Sequence, residues 1–278
     1  MEFRTIVDIK RPTFSIEPLE PMMFVGSCFA DNIGRRFAEE RFPVVVNPYG
    51  VMYNPASVCH TVKRWMTEKE GGAEVPHIVV ITLGTNRVYR LKTSGEIVDN
   101  CQKRPQTLFN EENLTLQQCT DYLATAVDEL LQHRPDVQVM VTVSPIRYAK
   151  YGYHGSQLSK ATLLLAAEQL CRERDNVTYF PAYEIVLDEL RDYRFYQPDM
   201  LHPSAQTVEY IWERLVDVFF SQRAKQFLID WKPVKEALNH RPFRPDSDEY
   251  HRFLAQTHDR ETKVLSQYQH LPTTPSSR

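Results

Sequence analysis

The feature that most restricts this chain is a rhythm of short apolar runs alternating with stretches of helical spacing. Met22–Gly26, Val44–Val46, His77–Leu83, Val137–Val143 and Val177–Phe180 are continuously apolar or nearly so and read as buried strands. Between them, Cys28–Glu40, Asn54–Thr67, Leu116–Gln132, Ser156–Glu173 and Ser204–Phe220 read as helices. Asn54 suits an N-cap and Pro55 the first helical position. In the last helix Val208, Ile211, Trp212, Leu215, Val216, Phe219 and Phe220 fall on one broad face. Strands apolar on both faces need cover on both faces, so the rhythm predicts a parallel sheet sandwiched between helices. Arg87–Asn100 departs from it: Ser94-Gly95 separates Val88–Lys92 from Glu96–Asp99, which predicts a hairpin inserted after the third strand. From Gln222 the rhythm stops. Residues 1–221 are expected to form the main domain and 222–278 a C-terminal extension packing on it, with Arg241–Phe253 as an arm and Leu271–Arg278 as a disordered tail.

A chain of 278 residues, 42% hydrophobic, can build a core without a metal or disulfide staple. Its net charge of −3 carries no basic stripe, which argues against nucleic acid as a partner. The apolar runs are far short of the ~20 residues a membrane-spanning helix needs. The charged N-terminus lacks the apolar core of a signal peptide. The five cysteines contain no CxxC pair, so neither a disulfide framework nor zinc is expected. These points predict a soluble, cytoplasmic protein that acts on a small molecule without metal or organic cofactor.

In open parallel sheets, functional residues gather where strands end. Four features sit at such places. Ser27 follows Gly26 at the first strand-to-helix turn, where a serine is either a helix cap or a nucleophile at the positive helix end. Gly50 closes Asn47-Pro48-Tyr49-Gly50 after the second strand, as a turn residue or a backbone donor to an oxyanion. Asn86 ends the third strand, as a turn residue or a side-chain donor to an oxyanion. Asp199 and His202, three apart before the last amphipathic helix, suit a carboxylate that orients an imidazole base. Cys28 is a rival nucleophile at the residue after Ser27, although a free cysteine there more often packs in the core.

The order Ser, Gly, Asn, then Asp with His resembles the four blocks of the SGNH (GDSL-like) hydrolase superfamily. Gly26-Ser27-Cys28-Phe29-Ala30 spells the name motif of the GSCFA-domain family. Asn47-Pro48-Tyr49-Gly50 with Asn54-Pro55, Thr82-Leu83-Gly84, Ser144-Pro145-Ile146-Arg147, Ser159-Lys160 and His202-Pro203-Ser204 resemble that family too. The resemblance implies a three-layer α/β/α, flavodoxin-like fold with a central parallel sheet of about five strands. It implies Ser27 as nucleophile, His202 as general base and Asp199 as its orienter. The Ser27 N–H, the Gly50 N–H and the Asn86 side chain would form the oxyanion hole. Gly26 and Arg87 stand where many GDSL enzymes have aspartates. Arg87, Arg147 and His154 are expected to contact substrate, with an ion pair to a nearby acid as the other role open to Arg147. The implied activity is ester hydrolysis, as an esterase or carbohydrate O-acetyl esterase, through an acyl-Ser27 intermediate. An acyltransferase, or a non-catalytic binding or scaffold protein, would use the same shell.

Overall fold

A computed structural model describes residues 3–68, 75–99, 101 and 104–269. Its strands in chain order are β1 (Met22–Gly26), β2 (Val44–Val46), β3 (Ile78–Leu83), β4 (Arg87–Leu91), β5 (Ile97–Val98), β6 (Phe109–Asn113), β7 (Gln138–Val143) and β8 (Val177–Tyr179). The helices are α1 (Cys28–Glu39), α2 (Pro55–Glu68), α3 (Leu116–His133), α4 (Gly152–Glu173), the single turn α5 (Ala182–Glu184), α6 (Ala205–Phe219), α7 (Gln222–Leu238) and α8 (Asp248–Tyr268). α5 runs directly into a π-helical stretch, Ile185–Leu190.

Five strands pair in the order β2-β1-β3-β7-β8, and every pairing is parallel. The two-residue period of a strand sorts their side chains between two cores. Met23, Val25, Val79, Ile81, Val139 and Val141 join residues of α2, α3 and α4 on one face. Met22, Phe24, Ile78, Val80 and Met140 join residues of α1, α6 and α7 on the other. The result is the three-layer α/β/α architecture that the continuous apolar runs imply. α1 is locked to α6 by Phe37, whose ring meets Trp212 edge-on at 4.8 Å between centroids.

Two regions differ from expectation. The segment after β3 is more than a hairpin: β4 pairs with β5 and also with β6, giving a three-stranded antiparallel sheet, β5-β4-β6. β6 reads Phe-Asn-Glu-Glu-Asn and buries only its first residue, so apolar patterning had nothing to detect. Backbone pairing along β4 holds it instead. Beyond residue 221, α7 and α8 are long helices. Phe227, Trp231 and Tyr268 enter the α1-side core. The Trp231 indole donates to the Glu39 carbonyl (3.3 Å), and Arg41 pairs with Glu261 (2.6 Å). The segment Arg241–Phe253 contains the connection and the start of α8. The tail Leu271–Arg278 lies outside the described residues. Among the described residues, no helix is long and apolar enough to cross a membrane.

From β1 the chain steps outward to β2, then returns past β1 to β3 on its other side. That reversal at β1 and β3 is a topological switch point, and the C-terminal ends of strands at such a point are the usual ligand position in these sheets.

Candidate active site

The C-terminal end of β1 is built on Gly26. Its φ of +137° is a backbone that side chains avoid, and a Cβ there would overlap the Thr82 carbonyl oxygen. This closeness lets the Ser27 N–H donate to Thr82 O (3.1 Å) and Oγ1 (2.9 Å) across the sheet. Asn47 braces the same glycine: its Oδ1 accepts from Gly26 N (2.8 Å) and its Nδ2 donates to Asp31 (2.6 Å).

Ser27 is the N-cap of α1. Its hydroxyl accepts from Phe29 N at 3.2 Å and shares a 2.9 Å hydrogen bond with Thr82 Oγ1. The residue has 0% of its surface exposed. Among the described residues, no hydrogen bond joins it to His202. The expected nucleophile is thus sealed between helix and sheet as a cap.

The next residue is placed differently. Cys28 occupies the first helical position with its thiol half-buried. The amides of Phe29 and Ala30 are taken by the Ser27 hydroxyl and carbonyl, whereas the Cys28 N–H is turned toward its own thiol. It lies at the positive end of α1. Burial pushes the thiol above its ordinary range; Asp31 and Asp199 push the same way, opposed by its own N–H and by Lys160. The thiol therefore shares one electrostatic neighbourhood with Asp199 and Lys160.

Asp199 and His202 form the pair expected from their spacing. One carboxylate oxygen accepts from the backbone N–H of Leu201 (2.8 Å) and His202 (3.0 Å), and the other lies 2.6 Å from His202 Nδ1. Those backbone donors, with the imidazole, hold the Asp199 carboxyl down at about 2. An ionised carboxylate only accepts, so Nδ1 carries the proton and Nε2 of the neutral ring is left as the basic nitrogen. The loop is fixed from outside by Arg147, whose backbone N donates to Leu201 O (3.0 Å) and whose guanidinium donates to Met200 O (2.9 Å).

Lys160 was visible in sequence only within a family motif. Its side chain is fully buried in α4, and the amine donates to Gly84 O and Ser144 O, both at 2.7 Å, just past the ends of β3 and β7. Burial brings it down to about 7, with Cys28 acting in the opposite direction. A lysine on the apolar face of a helix was the available sequence signal.

The expected oxyanion donors are largely occupied. The Ser27 N–H is held by Thr82, the Gly50 N–H by Asn47 O (2.8 Å), and the Asn86 amide donates to Leu114 O (2.8 Å). Asn86 retains a second amide hydrogen. Arg87 stacks on Tyr151 at 3.8 Å and approaches Glu111 at 3.6 Å. His154 is exposed in the first turn of α4. Among the described residues, no group of three or more His, Cys, Asp or Glu side chains is arranged to hold a metal.

The GSCFA family model matches residues 21–76 and 72–215, and the GSCFA domain protein C-terminal domain matches residues 231–275. The chain belongs to the GSCFA family. Similar solved structures include an acetylxylan esterase of Geobacillus stearothermophilus (15% identity, TM-score 0.47, covering 75% of this chain and 98% of that one). A lipolytic protein of the G-D-S-L family from Veillonella parvula is 12% identical (TM-score 0.45, 72% and 97%). A family 3 carbohydrate esterase from Talaromyces cellulolyticus is 11% identical (TM-score 0.42, 77% and 99%). No curated protein matches this chain.

Proposed function

We propose that this GSCFA protein cleaves an ester bond by acyl transfer through Cys28, one residue beyond the nucleophile expected from sequence. The observation that carries the proposal is the contrast between adjacent residues. The Ser27 hydroxyl is buried as a cap, while the Cys28 thiol is half-buried at the first position of α1, with Asp199 and Lys160 acting on it. Because burial raises the thiol, its resting form is neutral and it needs a base.

His202 supplies that base. Its Nε2 takes the thiol proton as sulfur attacks the ester carbonyl. The tetrahedral oxyanion is met by the Cys28 N–H and the second amide hydrogen of Asn86. Collapse expels the alcohol, which leaves with the proton from His202, and the acyl group remains as a Cys28 thioester. Water, deprotonated by His202, then attacks the thioester, releasing the acid and restoring the thiol. Asp199 holds the ring and stabilises the imidazolium in both halves. Proton transfer of this kind contributes ~10²–10⁴ in rate and each oxyanion donor about 10²–10³.

The test is hydrolysis of 4-nitrophenyl acetate by the wild-type protein, Cys28→Ala and Ser27→Ala. The proposal expects Cys28→Ala to fall to background, a loss of about 10³-fold or more, with Ser27→Ala remaining active. An active Cys28→Ala beside an inactive but folded Ser27→Ala would return the role to the serine. A folded wild-type protein inert toward all short acyl esters would remove the hydrolase reading.

A further inference from the structure

Resting on that reading, we infer that Arg147 selects esters carrying an oxyanionic group, a carboxylate or a phosphate, beside the scissile bond. Arg147 follows β7 and is bonded through both its backbone and its side chain to the loop that carries His202. Its guanidinium has no carboxylate within 4.0 Å among the described residues, unlike Arg87 with Glu111 (3.6 Å) and Arg191 with Asp188 (3.8 Å). One donor is used on Met200 O and the others are left over.

Three tyrosine rings surround this cation: Tyr153 at 4.3 Å, Tyr196 at 5.5 Å and Tyr193 at 5.6 Å. Their faces compensate part of its desolvation and leave its edge open. Arg147, Tyr193 and Tyr196 line a hollow of about 290 Å³ together with Gln157 and Arg191. The Tyr196 ring, whose hydroxyl is buried without a hydrogen-bond partner, forms part of the wall. Asp192, the acid on the wall, is already bonded to the backbone N–H and guanidinium of Arg194 (2.8 and 3.1 Å). A planar guanidinium with spare donors, beside a second arginine, matches an oxyanion bound in bidentate fashion.

Two ester pairs test this, each matching an anion against a neutral isostere. 4-Acetoxybenzoate and 4-acetoxybenzamide place the charge on the alcohol side. The 4-nitrophenyl esters of terephthalate and of its monoamide place it on the acyl side. A further arm with 4-acetoxyphenyl phosphate separates phosphate from carboxylate. Wild type is expected to favour the anion in at least one pair, and Arg147→Gln to lower that kcat/KM ratio about 10- to 100-fold, with Arg147→Lys in between. If both members of each pair fall together and the ratio stays fixed, Arg147 merely holds the His202 loop and the inference is overturned. If wild type turns over none of these esters, the hydrolase reading fails separately. Calorimetric titration with terephthalate and with phenyl phosphate then reads the same contact. Binding lost in Arg147→Gln supports the subsite, and no binding by wild type removes it.

Discussion

Two histidine–carboxylate pairs of equal length stand at opposite ends of the central sheet. Glu20 and His77, just before β1 and β3, are 2.6 Å apart at the entry end, and Asp199 and His202 are 2.6 Å apart at the exit end. Their surroundings differ. The Glu20 side chain is 6% exposed, accepts the Glu17 N–H as well, and adjoins strand starts whose neighbours are apolar. The side chains of Asp199 and His202 are 41% and 39% exposed. Around the exit end the fold gathers Ser27, Asn47, Thr82, Asn86, Ser144 and Lys160, all buried and polar. Burying such groups is costly unless they are bonded, and there they brace a helix start that carries a half-buried thiol. Bond length therefore does not separate the two pairs; exposure and the surrounding polar groups do.

The strongest way to break this comparison is to neutralise each imidazole in turn. His202→Gln is expected to lower kcat on a short acyl ester by ~10²–10⁴, while His77→Gln leaves kcat near wild type. Equal losses would dissolve the distinction between the two ends.

Lys160 sharpens it in stability. Its folded-state value of about 7 lies well below the ~10.4 of an unfolded lysine. Between these values the unfolded chain holds more protons than the folded one. Stability from this residue therefore rises with pH, by roughly 2 kcal/mol from pH 7 to pH 9. The penalty is complete below pH 7. Urea unfolding at the two pH values reads the slope, and Lys160→Met is expected to flatten it. A slope unchanged in the variant would assign it to other groups.

The smallest effect separates cap from nucleophile. Ser27→Ala removes the N-cap of α1 and should cost about 1 kcal/mol, seen as a lower midpoint in the same unfolding experiment. A loss of all turnover with an unchanged midpoint would reverse the roles assigned to Ser27 and Cys28.

The sheet was readable from sequence because β1, β3 and β7 are apolar on both faces. The positions of Asp199 and His202 were readable because a three-residue spacing closes its own hydrogen bonds. The contrast between Ser27 and Cys28 was not. Ser27 and Cys28 differ by one residue, and the phase at which strand becomes helix decides which one is buried as the cap. That phase is set by contacts 55 residues away: the fit of Gly26 against Thr82, and the Thr82 hydroxyl that takes Ser27. Lys160 was obscured because a lysine in a helix reads as solvated, and only carbonyls from two strand ends make it a buried one. β6 and α8 were hidden by polar sequences held through backbone pairing or a narrow apolar edge.

The most direct test of the central claim is to quench the protein with acid during turnover of 4-nitrophenyl acetate and map the acetyl group by peptide fragmentation. Acylation at Cys28, labile to neutral hydroxylamine as a thioester is, is the predicted result. An acetyl group on Ser27 with Cys28 unmodified would contradict it.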